Sequence, residues 1–374
     1  IILESELKRG DTPAEFTDAV MGFQRIYGAE RFVKILAALG KDTLDRSSYY
    51  FGDSIPRKVT LSHLLGVCMP EESDNAEKLG ELLSKTDISE KRLVEAAMYA
   101  PQWLDIIQDY LGWEGFRSAC YYFIAHMNET TDDMRTAVIA KYTPITTEEL
   151  RQGAFDINWF REAYNTVGQE RFDLIYDSAK YISDGGKHSR ARKYADAVMG
   201  KMDKPEALKN IEEKRNKDTL MAYGLIPFEN DNDIVERYLV FQKFLKESKK
   251  FGAQRRASEA NAVERAMQNL ALNAGYDDTM RLTLRMETRL FDSIRDLTEF
   301  NEVGEIKLRL VIDEEGKTSV ECIKGDKPLK SIPAKYKKDE TVVRISDVKK
   351  QLTDQYRRTR SMLEQSMEDR TEFT

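Results

Sequence analysis

The sequence predicts a mainly α protein, in which α-solenoid-like helical repeats are followed by a helical domain with a small β-hairpin. One observation is that only 9 Pro and 20 Gly occur in 374 residues, which favours long helices over a turn-rich β fold. A second is that a segment of about 56 residues occurs more than once, as in helical-repeat proteins. With 41 % apolar and 33 % charged residues, the chain has a globular composition and is long enough for two or three domains.

The repeat is clearest between residues 88–127 and 145–183. The segment ISEKRLVEAAMYAPQWLDIIQDYLGWEGFRSACYYFIAHM lines up with ITTEELRQGAFDINWFREAYNTVGQERFDLIYDSAKYIS after the loss of one residue in the connection. The matched pairs are Leu93 with Leu150, Trp103 with Trp159, and Phe116 with Phe172. The last two pairs are each 56 residues apart, so we take about 56 residues as the period.

A Gly-x-Glu-x-Phe motif marks each copy. It begins at Gly112 and Gly168, and it begins again at Gly28, which is 84 residues before Gly112. A period near 56 residues plus an insertion of half a repeat would explain this spacing. The expected insertion is DRSSYYFGDSIPRKVTLSHLLGVCMPEESD, residues 45–74.

Each copy is expected to form about three helices. Pro101 suits the first turn of the helix that carries Trp103, because a proline there loses no bonded N–H. Asp156 suits the N-cap of the corresponding helix in the next copy, where its carboxylate can accept from an unpaired backbone amide. We expect the Gly of the motif to end that helix in a left-handed conformation. The Glu two positions later should lie in the first turn of the following helix, where the dipole favours negative charge.

The stretch LGWEGFRSACYYFIAHMNE contains the residue types of a metal or catalytic site. In a helix, at about 100° per residue, one face collects apolar side chains, namely Phe116, Ala119, Cys120, Phe123 and Met127. His126 lies about 120° away from Cys120 on that helix, so the two side chains cannot share a metal ion. We interpret the stretch as a buried helix and Cys120 as a core residue.

Beyond residue 204 the repeat fades and further helices are expected. The first ends near Gly224 and Pro227. The next should bury Ile234, Tyr238, Phe241, Phe244 and Leu245. The helix after it has apolar residues on two faces, which indicates burial between neighbours. It should end at Gly275, and Asp277 or Asp278 should cap the helix that follows.

From residue 305 the apolar period changes from helical to alternating. EIKLRLVIDEEGKTSVECIK predicts a β-hairpin with its turn at DEEGK. SIPAKYKKDETVV is expected to be a basic loop, and the segment from Arg344 a long, charged helix. We therefore divide the chain into helical repeats at 1–204, a helical domain at 205–300, and the hairpin, basic loop and C-terminal helix at 301–374.

A basic cluster is the first candidate binding site. It consists of Lys246, Lys249, Lys250, Arg255 and Arg256, which flank the sequence FGAQ. Clustered cations can bind a nucleic acid or an acidic partner, because they release counterions from phosphates. The alternative, which we favour, is a solvated helix end, where cations interact well with the helix dipole. KYKKDE and QYRRTR also interleave Tyr with cations, but acidic residues lie close to both.

A polar row is the second candidate, and we expect it to be structural. Arg265, Asn269 and Asn273 share one face of a helix, and buried polar groups need hydrogen-bond partners. The next helix could supply them from Arg281, Arg285 or Glu287. A structural hydrogen-bond network is therefore favoured over a ligand site.

The sequence offers no motif for catalysis, a metal or a cofactor. DGGKHS, residues 184–189, resembles a phosphate-binding loop, but Tyr181 replaces the required Gly and no apolar strand precedes it. An exposed turn between helices is the better interpretation. His63, His126 and His188 are far apart and have no Cys or carboxylate at ligand spacing. We expect no catalytic residue, metal or cofactor, although a catalytic triad assembled from distant residues stays open.

The sequence also bears on location. No run of 18 or more apolar residues occurs, so no membrane span is expected. The three cysteines, Cys68, Cys120 and Cys322, are far apart and odd in number, which favours reduced thiols and a cytoplasmic location. The net charge of −7 does not favour bulk polyanion binding. Because the chain starts without Met and ends in a helical pattern, we expect it to be an internal piece of a larger protein.

Three segments resemble a large bacterial family with a conserved domain of unknown function, whose members are often labelled molybdate metabolism regulator-like. The most specific is FGAQRRASEANAVERAMQNLALNAGYDDTMRLTLRMET, and GKTSVECIKGDKPLKSIPAKYKKDETV and RRTRSMLEQSM follow it. APQWLDIIQDYLGWEGFRSACYYFIAHMNE resembles a helical region upstream in some members. The resemblance covers about residues 88–374. It implies a long, cytoplasmic bacterial protein and identifies no active-site residue.

Together these features predict a non-enzymatic interaction or regulatory module. Its partner should be another protein bound along the surface of the helical repeats, where an apolar or aromatic groove is expected. The first alternative is a nucleic-acid-binding regulator that uses basic residues of 246–256 and 335–360. The second is an enzyme of unrecognised type, which would need a pocket lined by titratable groups with shifted pKa values.

Overall fold

The computed structural model describes residues 1–12, 15–46 and 55–368, and it confirms a mainly α protein. The α-helices of the first part are α1 (Ile2–Lys8), α2 (Thr17–Met21), α3 (Ala29–Leu39), α4 (Arg57–Val67), α5 (Ala76–Leu83), α6 (Glu90–Tyr99), α7 (Leu104–Leu111), α8 (Phe116–Ala125) and α9 (Asp133–Ile139). They are followed by α10 (Thr147–Gln152), α11 (Ile157–Val167), α12 (Gln169–Ser178), α13 (Ser189–Val198), α14 (Lys204–Lys214), α15 (Lys217–Tyr223), α16 (Asp231–Ser248), α17 (Ala253–Asn273), α18 (Thr279–Asp292) and α19 (Glu340–Glu368).

The strands form two small sheets. They are β1 (Ile26–Tyr27), β2 (Cys68–Met69), β3 (Asn301–Val303), β4 (Ile306–Ile312), β5 (Thr318–Lys324) and β6 (Lys327–Pro328). β1 and β2 pair in parallel, and β3-β4-β5-β6 form an antiparallel sheet in that order.

By its contacts the chain forms two compact units. Unit 1 comprises Ile1–Pro227 and Lys243–Asn273, and unit 2 comprises Phe228–Gln242 and Ala274–Thr374. Helix α16 thus contributes residues to both. The predicted domain boundaries after residues 204 and 300 follow sequence pattern, and they stay predictions.

In unit 1 the two best-matched copies each form three helices, as predicted. The first copy contributes α6, α7 and α8, and the second contributes α10, α11 and α12. All matched apolar positions are at most 2 % exposed, namely Leu93, Leu150, Trp103, Trp159, Phe116 and Phe172. The alignment therefore pairs positions that have the same role in the core.

Neighbouring copies are joined by aromatic contacts. The ring of Phe32, from the first Gly-x-Glu-x-Phe motif, stacks on Trp103 with 4.3 Å between ring centroids. The Trp103 Nε1 donates a hydrogen bond to the Cys68 carbonyl at 2.7 Å. In the next copy, the Trp159 Nε1 donates to Ser118 Oγ at 2.9 Å. Each Trp therefore packs on a part of the chain that precedes its own copy.

The predicted helix caps are largely confirmed. Pro101 begins a 3-10 turn, Pro101–Trp103, that leads into α7. Asp156 Oδ1 accepts from the backbone amides of Asn158 and Trp159, both at 3.0 Å. Gly112 ends α7 in the predicted left-handed conformation, with φ 63° and ψ 28°.

The predicted left-handed cap is wrong for the other two motif glycines. Gly168 has φ 82° and ψ 155°, and Gly28 has φ 105° and ψ 143°. The reason is that a helix begins directly after each of them, so Gly168 alone joins α11 to α12 and Gly28 alone joins β1 to α3. A positive φ with an extended ψ is accessible almost only to Gly.

The position of the motif Glu relative to the following helix also differs among the three copies. Glu30 and Glu170 lie in the first turns of α3 and α12, as predicted. Glu114 instead precedes α8, which begins at Phe116. The longer connection after Gly112 accounts for this difference.

The aromatic stretch around α8 is packing, as predicted. The residues of α8 other than Arg117 and Ser118 are buried. Tyr122 lies among rings of the next copy, with centroids 5.8 Å from Phe155 and 5.1 Å from Phe160. Cys120 is fully buried, and burial raises the pKa of its thiol.

The expected insertion is described only in part. Residues 47–54 lie outside the described residues. The remainder forms α4 and β2, and β2 pairs with β1 through Ile26 with Cys68 and Tyr27 with Met69. The sequence did not predict this pairing, because each strand has only two residues.

The DGGKHS segment forms the predicted turn. Asp184, Gly185 and Gly186 are exposed, and both glycines have positive φ. The Lys187 ammonium forms an ion pair with Glu129 at 2.8 Å. This lysine is thus engaged in holding the turn.

Between residues 205 and 227 the structure differs from the prediction of one helix. The chain forms α14 and α15, separated at Arg215, which has φ 50° and ψ 43°. Asn216 then caps α15 by accepting from the Thr219 amide at 2.8 Å. The side-chain contacts of Arg215, described below, explain the break.

The two long helices that follow agree with their apolar patterns. In α16, four of the five predicted inward residues are buried, namely Ile234, Tyr238, Phe241 and Phe244, and Leu245 is half-buried. In α17 the buried set includes Val263, Met267, Leu270 and Ala271, together with the polar Glu259 and Asn269. Gly275 has the expected positive φ, and Asp278 caps α18.

Unit 2 is built around the predicted hairpin. β4 and β5 pair from Lys307 with Ile323 to Ile312 with Thr318, and β3 and β6 extend them to four strands. Helix α19 buries Val342, Ile345, Val348 and Leu352 in the same core as the apolar residues of β4. The helix begins at Glu340, earlier than predicted, and the Asp339 carboxylate accepts from the Thr341 amide at 3.0 Å.

Within the described ranges, no helix is both long enough and apolar enough to cross a membrane.

His126 should make the protein sensitive to acid. It is fully buried among Tyr122, Phe155 and Trp159, and its Nε2 has no hydrogen-bond partner among the described residues. Burial lowers the pKa of His126 to about 4. Because the unfolded chain binds this proton near pH 6.5, the free energy of unfolding should fall by about 2 kcal/mol between about pH 7 and about pH 5.

Urea denaturation at the two pH values measures this effect. The variant His126→Asn keeps a donor toward the Tyr122 carbonyl but cannot titrate, so its stability should depend less on pH. The control His63→Asn should keep the wild-type loss. Equal pH dependence in wild type and His126→Asn would contradict the assignment.

Candidate functional site

The basic cluster surrounds the connection between α16 and α17. Its members are all exposed, but they are not equivalent. Arg255 Nε donates to Glu259 Oε1 at 2.9 Å, and its guanidinium lies 3.7 Å from the centre of the Phe251 ring. Lys246 also has an interaction partner. The other three members are Lys249, Lys250 and Arg256, which are also exposed.

Beside this cluster lies a buried network that sequence reasoning missed. Its centre is Arg215, whose Nη2 donates to Glu259 Oε2 at 2.6 Å and to the Phe244 carbonyl at 2.9 Å. The Arg215 Nη1 donates to Glu247 Oε2 at 3.0 Å. The guanidinium also lies 3.7 Å from the centre of the Phe244 ring. These contacts hold the corner between α14 and α15 against α16 and α17.

The charge of Glu259 is fully compensated. Burial alone would raise the pKa of Glu259, but hydrogen bonds from Arg215, Ser248 and Arg255 outweigh burial and lower it to about 2. Both carboxylate oxygens accept hydrogen bonds. The network is complete without a ligand, so we interpret it as structural. Nothing local in the sequence indicates it, because Glu259 is 44 residues from Arg215.

Arg215→Ala should be strongly destabilising. The substitution removes the main partner of the buried Glu259 and leaves it only Ser248 and Arg255, and breaking a buried ion pair by removing one partner costs up to about 3–5 kcal/mol. The matched control is Arg256→Ala, which removes an exposed cation of the same region and should change the free energy of unfolding by less than about 0.5 kcal/mol. Urea denaturation of the two variants measures both values. Similar stability of the two would show that the network contributes little.

The polar row on α17 forms hydrogen bonds, but its partners differ from those predicted. Asn269 Nδ2 donates to the carbonyls of Gly153 and Met221 at 3.1 and 3.2 Å. Asn273 Nδ2 donates to the Gly224 carbonyl at 2.9 Å. The row therefore bonds to the backbone of loops and helix ends in unit 1. The sequence predicts partners on the next helix and so does not identify these carbonyls.

The remaining members of the predicted network have other partners. Arg265 Nη2 donates to Gln152 Oε1 at 2.8 Å. Arg281 forms an ion pair with Asp277 at the start of α18. Glu287 takes part in a separate site within unit 2. The predicted network is thus divided among three places.

That separate site is an apolar pocket of about 350 Å³ between α18, α19 and the β4–β5 hairpin. Its apolar lining consists of Leu284, Phe291, Ile312, Leu352 and Tyr356. Its buried polar lining includes Glu287 and Thr318, which are 4 % and 9 % exposed. An apolar pocket with a few buried polar groups is the usual form of a small-molecule site.

Glu287 is bonded on one side only. Its Oε1 accepts from the Tyr238 hydroxyl and from Arg358 Nη2 at 2.9 Å. Burial, followed by the charge of Glu287, raises the pKa of Tyr238. The Glu287 Oε2 has no hydrogen-bond partner among the described residues. A buried carboxylate oxygen without a donor is unusual, because such atoms are normally paired.

Thr318 and Gly316 form the hairpin side of the pocket. The Thr318 Oγ1 is buried and lacks a hydrogen-bond partner within the described ranges. Gly316, with φ 73°, lies directly under the Tyr356 ring, and a Cβ atom at this position would overlap that ring. Gly316 therefore allows Tyr356 to close one wall of the pocket.

A second, polar depression of about 460 Å³ lies beside α13 and α14. Two of its charged groups already have hydrogen-bond partners. Asp196 accepts from the Tyr176 hydroxyl at 2.9 Å, and Lys193 Nζ donates to Thr219 Oγ1 at 3.1 Å. This depression is therefore a weaker candidate for a site than the pocket of unit 2. In the part of the chain that the structure describes, no group of three or more His, Cys, Asp or Glu could hold a metal ion.

The fold is that of a mainly α protein with helical repeats, and it contains an apolar pocket. Comparison with known proteins identifies its family. The model of DUF5724, a family of unknown function, matches residues 1–286, and the model of DUF4132, a domain of unknown function, matches residues 326–374. The first match covers more than half of the chain, so the chain belongs to the DUF5724 family. Among curated proteins and solved structures, none matches it.

These matches confirm that the chain contains domains of unknown function. The resemblance to proteins labelled molybdate metabolism regulator-like stays a prediction, because neither family description mentions that label.

Thr318→Val should stabilise the protein. Valine has nearly the same shape, and it removes a buried hydroxyl that has no partner, which should raise the free energy of unfolding by about 1 kcal/mol. Thr318→Ser keeps the hydroxyl and loses the methyl group, so it should be less stable than wild type. Thermal denaturation of the three proteins tests this order. A destabilised valine variant would mean that the hydroxyl is bonded after all.

Proposed function

We propose that this chain is a non-enzymatic interaction module that binds another protein, and that the C-terminal half of α19 provides the contact surface. The observation that carries the proposal is an apolar stripe on α19 that continues beyond the sheet it packs on. Its buried part ends at Leu352, which is 6 % exposed. Its exposed part consists of Tyr356, Leu363 and Met367.

The spacing of these residues supports a single surface. Leu352, Tyr356, Leu363 and Met367 follow each other at intervals of four, seven and four residues, so they lie on one side of the helix. At about 1.5 Å per residue, the stripe is about 22 Å long. Such an exposed apolar stripe on a helix is typical of a protein–protein contact.

This location differs from the groove expected along the repeats. The large apolar side chains of unit 1 that are exposed are isolated in sequence, for example Tyr27, Tyr110 and Met134. The exposed large apolar side chains of unit 2 instead include three residues of one stripe on α19. The proposal therefore keeps the class of partner and moves the contact surface to α19.

Nucleic-acid binding is the alternative function. The exposed cations Lys249, Lys250 and Arg256 support it in unit 1. Several cations of the 335–360 segment are engaged in unit 2, since Arg344 pairs with Asp296 and Arg358 with Glu287. Fewer cations are therefore free to contact phosphates than the sequence suggests.

We further propose a cytoplasmic, regulatory role in a bacterium, as the family resemblance implies. The three cysteines are free and buried rather than joined in a disulfide, which supports a reducing compartment.

Site-specific photo-crosslinking in the native host tests the protein-binding role. A photoreactive amino acid replaces Leu363 in the full-length protein, and the adducts are identified by mass spectrometry after nuclease treatment. We expect a discrete protein adduct, because Leu363 lies in the middle of the exposed stripe.

The matched control carries the same photoreactive residue at Arg357, which is exposed on α19 but about 120° around the helix from Leu363. The adduct should be weak or absent there. Equal adducts from both positions, or adducts that nuclease removes, would overturn the proposal.

A further inference from the structure

The pocket of unit 2 has a composition that specifies a ligand more narrowly than its size alone. Its volume of about 350 Å³ accommodates about a dozen non-hydrogen atoms, if each occupies roughly the 30 Å³ of a liquid water. The surface that its lining residues expose to the pocket is mostly apolar, although five of them are polar. The body of a ligand must therefore be apolar.

The polar groups of the pocket determine the head group. The Glu287 Oε2 can accept a hydrogen bond, has no donor among the described residues, and is itself covered by neighbouring atoms. The Thr318 Oγ1 is also buried and unpaired. A rotation of the Glu287 carboxylate that brings Oε2 to the pocket would let a ligand donor complete this site, and it would be favoured because an unpaired buried acceptor carries a desolvation cost.

The charge of the site excludes an anion and disfavours a cation. A carboxylate would lie beside the Glu287 carboxylate and be repelled. The charge of Glu287 is already balanced by Arg358, whose Nε and Nη2 donate to Oε1 at 3.0 and 2.9 Å. A second cation would leave a net positive charge in a buried place, which is costly. A neutral donor, such as a hydroxyl group, fits best.

We infer that this pocket binds a neutral small molecule with an apolar chain or ring and a hydroxyl group that donates to Glu287. This inference does not rest on the proposed protein-binding role of α19. The pocket wall formed by Tyr356 over Gly316 suits such a ligand, because the ring contributes apolar surface and is itself 39 % exposed at the rim.

A series of probes with one tail and different head groups tests the inference. The probes are 1-octanol, octanoate and octylammonium, and binding to the full chain is followed by NMR of labelled methyl groups. We expect 1-octanol to shift the methyl signals of Ile312 and Leu352 saturably. It should bind at least about tenfold more tightly than octanoate.

Two tryptophan variants separate the pocket from other apolar surfaces. Leu284→Trp fills the pocket and should abolish the shifts, whereas Arg285→Trp adds the same side chain at an exposed position of α18 and should leave them unchanged. Circular dichroism establishes that both variants are folded. If Leu284→Trp does not fold, the head-group order in the wild-type protein still decides.

Three results would overturn the inference. The first is the absence of saturable shifts at Ile312 and Leu352 with 1-octanol. The second is equal affinity for octanoate, which would mean that Glu287 does not contact the head group. The third is tightest binding of octylammonium, which would mean that Arg358 does not neutralise the site.

Discussion

The architecture of unit 1 depends on aromatic side chains that no single repeat can bury. Trp103 stacks on Phe32, and Trp159 reaches Ser118, so each indole is covered by a part of the chain that precedes its own copy. Three short helices have too little interior to enclose an indole by themselves, and stacking of successive copies supplies the missing surface. The positions of these rings therefore set the register of the repeats, and the caps and turns adjust to it. Gly168 illustrates this, because it accepts an unusual backbone conformation to bring Phe172 inward.

Both units also contain a buried glutamate held by an arginine, and the two glutamates differ in how many of their carboxylate oxygens accept hydrogen bonds. Glu259 receives hydrogen bonds on both oxygens, and the hydrogen bonds and charges of its partners lower its pKa to about 2. Glu287 receives them on one oxygen only. Taking a carboxylate out of water is costly unless its hydrogen-bonding capacity is met. The first pair is thus complete as a structural element, whereas the second has capacity left for another molecule.

Features that depend on neighbouring residues could be predicted from the sequence. The repeat, the cap at Asp156, the hairpin and the burial of α8 all follow from local spacing. The break at Arg215, the partners of Asn269 and the pocket around Glu287 could not be predicted, because each joins residues far apart in the chain. The apolar stripe of α19 could have been predicted, since Leu352, Tyr356, Leu363 and Met367 have helical spacing. The many charged residues of this segment obscured the pattern. The motif glycines show a further limit, because the same five-residue pattern adopts two backbone conformations.

The interleaving of the two units along the chain has a consequence for biosynthesis. Residues 228–242 belong to unit 2, but they are translated before residues 243–273, which complete unit 1. Once residue 273 has emerged from the ribosome, the nascent chain can therefore fold unit 1 while the first segment of unit 2 still lacks its partners. The Tyr238 hydroxyl can donate to Glu287 only after Glu287 emerges from the ribosome, and Glu287 can bond to Arg358 only later still. During that interval the residues around Tyr238 form an exposed apolar segment. A chaperone would bind there while the rest of the chain is being synthesised.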